Sequence, residues 1–277
     1  MAARTGDEAI GGGVSGGKPT EEASAQVIDG FAAFLGGDAL IVPAGFDLLH
    51  ADFARSGHDL VLTAPDGAQL VITDYFALPL QADLATADGA VLPAATVAAL
   101  AGPQAPGQYA QAGANDAAGQ QIIGEVKTIE GRVVITRADG TVIEAEIGTQ
   151  IYAQDVVETT LSGGIGILFV DDTSFALGGN ARMVMDKFVF DPATASNSGV
   201  LTVVQGAFSF VSGQVAKSGD DALTIETPTL TIGVRGTSVI GKAAAEGAET
   251  RVALVRDPDG TLGKIYVFND MDAYLIE

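Results

Sequence analysis

Short runs in which apolar and polar residues alternate recur along most of the chain, separated by turns that contain glycine or proline. The runs DLVLTA (59–64) and QLVITDYF (69–76) flank the tripeptide Pro-Asp-Gly at 65–67. Proline presets one turn dihedral and glycine tolerates a positive one, so this segment is typical of a β-hairpin. Together with ALIVPAG (39–45), these runs predict a small β domain over residues 23–102.

Two segments have the spacing of short helices instead. Val27, Phe31 and Leu35 recur about once per helical turn, which predicts a helix within 23–35, with an opening strand as the alternative. The alanine-rich run LPAATVAALAG (92–102) predicts a second short helix that ends at its last glycine.

From residue 121 onward, strand patterns follow one another almost without a break. In TVIEAEIG (141–148), apolar residues alternate with glutamates, which is typical of a sheet with one solvent-exposed face. Similar runs lie at 122–131, 132–140, 150–159, 164–172, 173–179, 181–190, 199–213, 222–241, 249–257 and 263–270. Because no helical pattern separates them, we predict an all-β fold: an elongated antiparallel β-sandwich or β-roll preceded by the small β domain.

Composition divides the chain further. Residues 1–22 are rich in glycine and lack a hydrophobic period, which predicts a flexible tail. Residues 103–120 contain prolines and glycines but almost no large apolar side chain, which predicts a linker. The second β domain would then span residues 121–277.

Charge and hydropathy limit the partners that we expect. The 277 residues include 35 acidic and 14 basic side chains, for a formal net charge of −21. Binding to nucleic acid or to an anionic membrane surface needs clustered basic residues, so we expect neither. The amino terminus lacks the apolar core of a secretory signal peptide, and no run approaches the ~20 apolar residues of a spanning helix. We therefore expect no membrane insertion and a non-classical export route.

Few residues could carry catalysis or bind a metal. Cysteine is absent and histidine occurs only at positions 50 and 58, which excludes thiolate chemistry and a multi-histidine metal centre. The candidate nucleophiles Ser174 and Ser209 have no histidine in their own predicted domain. Asp171 and Asp172 form a polar pair that we interpret as a hairpin tip, with calcium binding as the alternative. We expect no enzyme, no cofactor and no dedicated metal site.

The segment ETPTLTIGVRGTSVIG (226–241) combines strand-like alternation with a proline, glycines and an arginine. A guanidinium within an apolar strand must be paired or point out of the sheet, and flanking glycines permit close backbone approach. We predict a buried structural arginine that joins two sheets, with contact to a partner protein as the alternative. The candidate residues are Thr227, Pro228, Gly233, Val234, Arg235, Gly236 and Thr237.

Several motifs in the second half resemble those of the FecR domain family. IGTQIYAQDVVET (147–159) is similar to the family's Gly-Asp segment, with Gln154 and Asp155 near the usual place of that pair. ILFVDDTSFALGG (167–179) is similar to its Asp-Gly-Ser segment, with Asp172 in place of the glycine, and TPTLTIGVRGTSV (227–239) is close to its GVRGT element. The resemblance spans about 122–266. It implies the periplasmic sensing part of a regulator that holds a sigma factor.

The first domain carries a second resemblance. GHDLVLTAPDGAQLVITDYF (57–76) is similar to the small prefix domain of bacterial biofilm adhesins. Type I secreted adhesins lack a cleaved amino-terminal signal and cysteine, and they are acidic, as this chain is. This resemblance implies a cell-envelope or surface module that anchors or assembles an adhesin-like protein through protein partners, which is the function that we expect. The alternatives are a FecR-type periplasmic sensor of sigma-factor signalling and, for the location, the cytoplasm.

Overall fold

The computed structural model describes residues 25–29, 39–78, 80–102, 121–193, 197–244, 249–256, 262–269 and 273–277. Within these ranges the chain is built almost wholly of strands, with two short α-helices, so the all-β prediction is confirmed. Neither of these helices is long enough to cross a bilayer. The predicted tail (1–22) and linker (103–120) lie outside the described residues.

The elements follow one another in chain order. In the first half they are β1 (Gln26–Asp29), β2 (Ala39–Ile41), β3 (Asp52–Ser56), β4 (Asp59–Thr63), β5 (Gln69–Thr73), a 3-10 turn (Tyr75–Ala77), β6 (Asp83–Ala85), β7 (Val91–Leu92) and α1 (Ala94–Ala101). In the second half they are β8 (Ile122–Glu130), β9 (Val133–Thr136), β10 (Val142–Glu144), β11 (Gln150–Tyr152), β12 (Val156–Thr159), β13 (Gly164–Phe169), β14 (Ser174–Leu177), β15 (Arg182–Val189), β16 (Ser198–Val211), α2 (Val215–Ser218), β17 (Leu223–Thr227), β18 (Leu230–Arg235), β19 (Ser238–Ala243), β20 (Arg251–Val255), β21 (Lys264–Phe268) and β22 (Ala273–Ile276).

The N-terminal part contains two small sheets. Their strands pair in the orders β1-β5-β4-β3 and β2-β6-β7. The hairpin predicted around 65–67 is confirmed, because antiparallel β4 and β5 flank this turn and Gly67 adopts a φ of +88° within it. The helix predicted within 92–102 is confirmed as α1.

The helix predicted within 23–35 is wrong for the residues that the structure describes. Gln26–Asp29 form β1, which pairs in parallel with β5, and residues 30–35 lie outside the described ranges. The β-branched residues Val27 and Ile28 suit a strand. The edge of β5 offers them backbone partners, whereas a short isolated helix is marginal in water. The structure therefore shows the strand alternative.

The second half forms two sheets that share the long strand β16. Sheet I has the order β11-β8-β13-β14-β16-β19-β20, and sheet II has the order β10-β9-β12-β15-β16-β17-β18-β21-β22. The first half of β16 pairs with β15 and β17, and its second half pairs with β14 and β19. Most pairs are antiparallel as predicted, but β16 and β17 are parallel because the connection through α2 returns the chain along half of β16.

Gly206 marks the point at which β16 passes from sheet II to sheet I. This residue has a φ of +99°, and a Cβ placed on it would lie 2.4 Å from the Cβ of Ala181. Only glycine combines that backbone conformation with so little space. The register between β15 and β16 also shifts next to this position, between Arg182 and Met183. A bulge of this kind sharpens the bend and twist of a strand, which lets one strand serve two sheets.

The main core lies between sheets I and II. Three stacked rings, Phe175, Phe208 and Phe210, lie within it with centroids 5.6 to 6.4 Å apart. Burial of this apolar surface holds the two sheets face to face, since each Å² removed from water contributes about 25 cal/mol.

The N-terminal part packs against the outer face of sheet II. Its hydrophobic core also contains Val156, Val184 and Val204, which belong to β12, β15 and β16. Arg182 adds a polar contact, since its Nη1 donates a hydrogen bond of 3.0 Å to the carbonyl of Ala51. The two parts of the chain therefore share one continuous apolar contact.

Candidate functional site

The predicted element, residues 227–237, consists of the last residue of β17, all of β18 and the turn into β19. Thr227 and Leu230 close its first turn: Thr227 Oγ1 donates to the Leu230 carbonyl at 2.9 Å and accepts from Leu230 N at 3.2 Å. Pro228 is buried in this turn, and its carbonyl accepts a hydrogen bond from Val91 N at 2.6 Å. The Thr-Pro turn is therefore a contact between the sandwich and the N-terminal part.

The middle of the element contributes to the core. Val234 is fully buried. Gly233 leaves room for a neighbouring carboxylate, because a Cβ placed on it would lie 2.4 Å from Asp221 Oδ1. The glycine thus permits the close approach that the sequence predicted, and the approaching group is a turn residue of this same chain.

Arg235 lies at the surface of sheet II and not between the sheets. Its side chain is 31% exposed, and its Nη1 lies 2.9 Å from Asp220 Oδ1. The guanidinium carbon also lies 4.2 Å from the centroid of the Tyr266 ring. An exposed ion pair contributes roughly 0–1 kcal/mol, and a cation–π contact at an exposed site contributes about 0.5–1 kcal/mol. The arginine is paired, as the sequence required, but it does not have the buried position that we predicted.

Gly236 and Thr237 form the turn from β18 to β19. Gly236 has a φ of +60°. Thr237 is buried and tied to the end of β16, since its N–H donates to Ser212 Oγ at 2.7 Å and its carbonyl accepts from Ser212 N at 3.1 Å. The predicted residues therefore do not form one site: Thr227 and Pro228 lie before β18, Gly233 and Val234 lie within it, and Arg235, Gly236 and Thr237 lie at its end.

A group of carboxylates that sequence reasoning missed lies where the N-terminal part meets sheet II. Thr96 Oγ1 of α1 donates to Asp186 Oδ1 of β15 at 3.3 Å, and Asp83 Oδ1 accepts from Ala94 N at 2.8 Å. Burial raises the pKa of Asp186. Burial also raises the pKa of Glu226, and the charges of Asp186 and Asp83 raise it further. In the sequence these carboxylates look like ordinary solvent-facing strand residues. Asp186 and Glu226 meet at Thr202 of β16, and the docked N-terminal part brings Asp83 to them.

Asp171 is a buried structural carboxylate. Its Oδ1 accepts a hydrogen bond from Thr173 N at 2.9 Å, and its Oδ2 accepts from Thr173 Oγ1 at 2.8 Å and from Val215 N at 2.9 Å. These bonds join the β13–β14 turn to the first residue of α2. Asp172 is exposed with a φ of +70°, which explains why a glycine suits this position in the resembling motif. The arrangement is that of the hairpin tip predicted from the sequence.

Asp155 forms a second buried network beside another left-handed residue. Its Oδ2 accepts a hydrogen bond from Tyr152 N at 2.9 Å and pairs with Arg137 Nη1, whose guanidinium also lies over the Tyr152 ring. Burial raises the pKa of Asp155 to about 6, although the Tyr152 N–H and Arg137 act in the opposite direction. Gln154 has a φ of +67°, and it stands near the usual place of the glycine in the resembling FecR motif.

The histidines occupy ordinary turn positions. His50 Nδ1 lies 2.8 Å from Asp47 Oδ1, three residues earlier, and His58 is exposed. In the part of the chain that the structure describes, no group of three or more histidine, aspartate or glutamate side chains could hold a metal ion.

The segment that begins immediately after Gln154 and contains Asp172 has a counterpart among known families. Residues 155–257 match the family model described as FecR protein. The FecR match begins at Asp155 and contains β12 to β20, so it falls inside the span of the motif resemblance. It does not reach the first half, and the prefix-domain resemblance of 57–76 is not confirmed. Neither the search of curated proteins nor the search of solved structures gave a significant match.

The last strand inside the FecR match presents an open edge. Among the described residues, β20 pairs with β19 only. Beside it, two shallow hollows of about 380 Å³ and about 280 Å³ lie on the outer face of sheet I, one on each side of Ile240. Ile240 is 50% exposed, and Val211 and Val255 are 47% and 36% exposed. An open strand edge next to an apolar face is the type of surface on which proteins add a strand from a partner.

Proposed function

We propose that this chain is a non-enzymatic regulatory module of the FecR type, which receives a signal by binding a protein partner at the bacterial cell envelope. The observation that carries the proposal is the FecR match over 155–257, which contains the open edge β20. This function is the alternative named from the sequence. The adhesin-assembly function that we expected first rested on the prefix-domain resemblance, and the comparisons give it no support.

The contact between the two parts of the chain supports a regulatory role. The FecR-matched segment supplies Val156, Val184 and Val204 to the core of the N-terminal part, and it also supplies Pro228 at the hydrogen-bonded turn. A change in the sandwich on partner binding would therefore act on the surface that holds the N-terminal part. Because burial raises the pKa of Asp186 and Glu226, their ionisation weakens this contact.

The proposed function is tested in the source bacterium by deleting the gene and complementing it with the full-length wild-type chain. We expect deletion to change the transcription of a limited set of genes, complementation to restore it, and attachment to surfaces to stay unchanged. Loss of attachment without any change in transcription would instead favour adhesin assembly and overturn the proposal. RNA sequencing and a surface-attachment assay on the same cultures measure both outcomes.

A further inference from the structure

Strand β20 has little of the protection that the edge of a sheet usually carries. Proteins blunt their edges with very short strands, bulges, prolines or charged side chains, and the charged residue of β20, Arg251, stands at its first position. The opposite edge of sheet I, β11, has three residues and a register shift. Strand β20 has five residues in continuous register with β19, from Lys242 opposite Arg251 to Ser238 opposite Val255. Among the described residues no strand other than β19 pairs with it, so its outer edge offers backbone groups to a further strand.

The face beside this edge is largely apolar, and no side chain in the described ranges fills its hollows. Ile240 stands between the two hollows, and the small side chains of Ala207 and Ala253 line one of them. Side chains of an added strand alternate between the faces of the sheet, so every second one would lie on this outer face. Bulky apolar side chains at those positions would fill the hollows and cover Ile240.

The same face carries a local positive charge in a strongly acidic chain. Lys242 and Arg251 are direct cross-strand partners at one end of the first hollow, although the net charge of the whole chain is −21. Like charges directly opposite each other destabilise a sheet pair. The ion pair of Arg251 with Glu249 is long, 3.8 Å, and both side chains are more than 80% exposed, so it relieves little of that repulsion. An acidic side chain on a strand added beside β20 would pair with Arg251 and so relieve more of it.

We propose that the β20 edge binds an extended segment of a partner protein in which apolar side chains alternate along the outer face and an acidic side chain lies beside Lys242 and Arg251. The segment adds as a strand to sheet I, with its bulky apolar side chains in the hollows on either side of Ile240. This inference rests on the proposed function, since it names the chemistry of the partner that the FecR-like segment receives. A second copy of this chain fits less well, because two chains of −21 repel each other.

The experiment uses the full chain and the fluorescent synthetic peptide Thr-Val-Thr-Phe-Thr-Glu-Thr, blocked at both ends. The matched peptides carry lysine in place of the glutamate, or N-methyl groups that remove the backbone donors. We expect the glutamate peptide to bind at least about tenfold more tightly than either control in fluorescence anisotropy. Hydrogen exchange of the amides of β20 should slow when it binds.

A charge swap makes the test specific. In the double variant Lys242→Glu and Arg251→Glu, the preference should invert, so that the lysine peptide binds more tightly than the glutamate peptide. The control variant, Lys127→Glu with Arg132→Glu, changes the net charge equally at exposed positions away from β20 and should keep the wild-type preference. An equal effect of both variants would mean that only bulk charge matters, and it would overturn the site.

Other results would also refute the docking site. It is wrong if the glutamate peptide fails to bind, or if the wild-type chain forms a dimer in light scattering that Ile240→Asp abolishes. The regulatory function fails separately, when deletion leaves transcription unchanged. If the Lys242→Glu and Arg251→Glu variant restores transcription in the deletion strain as well as the wild-type chain does, the partner binds elsewhere and the regulatory role stays intact.

Discussion

The backbone N–H of Val91 donates a hydrogen bond of 2.6 Å to the carbonyl of Pro228, across the contact between the N-terminal part and the sandwich. The sequence pattern assigns Pro228 to the segment around Arg235. Its position in the fold gives it a different task, because it terminates β17 in a buried turn that the N-terminal part covers. The contact around this bond is apolar on one side, at Val156, Val184 and Val204, and acidic on the other.

The apolar side of this contact should make the two parts unfold together. We expect Val184→Ala to lower the free energy of unfolding by about 1–3 kcal/mol, because it removes buried methyl groups at the contact. Val189→Ala, on the same strand but 39% exposed, should change it by less than about 0.5 kcal/mol. Urea unfolding followed by circular dichroism measures both. Two separate transitions in the wild-type chain would contradict a shared core.

The acidic side of the contact should make stability fall as pH rises. A carboxyl whose pKa is raised on folding binds its proton more tightly in the folded state than in the unfolded one. The free energy of unfolding therefore falls as pH rises from the unfolded pKa, about 4, to the raised folded pKa, and it stays lower above that. Asp186→Asn removes this ionisation and keeps an acceptor for Thr96. We expect the variant to be more stable than wild type at pH 8 and to lose that advantage below pH ~4.

Unfolding midpoints in urea, measured from pH 4 to pH 8, check this prediction. Asp88→Asn is the matched control, since Asp88 is exposed in a turn of the N-terminal part. A uniform shift of the Asp186→Asn midpoint at every pH would show that packing, and not charge, accounts for the change.

Asp171 should be far more important for stability than its neighbour. Replacing it with alanine leaves Thr173 N and Val215 N without their buried acceptor, at a cost of roughly 1–3 kcal/mol for each. Asp171→Ala should therefore destabilise the chain by about 3 kcal/mol or more, whereas Asp172→Asn should be nearly neutral. Thermal unfolding of both variants decides the matter, and equal losses would refute the network described for Asp171.

Gln154 should be a position where glycine improves stability. A left-handed conformation costs an L-residue about 1–2 kcal/mol of folded-state stability. Glycine avoids this cost but lowers stability by about 0.4–1 kcal/mol, because it raises the entropy of the unfolded chain. We expect Gln154→Gly to stabilise the chain by about 0.5–1 kcal/mol. Gln150→Gly, within strand β11, should destabilise it by at least a similar amount, because it also removes the Oε1 that accepts a hydrogen bond of 2.7 Å from the Tyr152 hydroxyl. Calorimetry compares the two, and a loss of stability in Gln154→Gly would show that the glutamine side chain has an unrecognised partner.

The sequence pattern predicted the elements whose structure is determined by residues close together in the chain. The 65–67 hairpin, helix α1 and the strand-rich second half each follow from residues close in sequence, and the Gly-Asp and Asp-Gly-Ser motifs marked turns whose left-handed residues the structure locates at Gln154 and Asp172. The failures depend on distant residues. β1 is a strand because β5, about 40 residues later, offers it an edge. Asp186 and Glu226 meet through Thr202 of β16, which lies between their strands, and Asp83 joins them only when the N-terminal part docks on sheet II.

Arg235 shows a different limit of the sequence pattern. Alternation placed it correctly on a strand and required a partner for its charge, but it did not say which face of the sheet it occupies. The pairing of β18 with β21 shows which face it is. Gly233 lies opposite Tyr266, so the Tyr266 ring lies on the outer face, where Arg235 pairs with Asp220.

Because β16 supplies backbone partners to β14, β15, β17 and β19, neither sheet can be peeled away while the other stays intact. Fraying that begins at the outlying strands must stop when it reaches this shared strand. Its central amides should therefore be the slowest in the molecule to exchange with heavy water, and they should do so only when the whole sandwich opens.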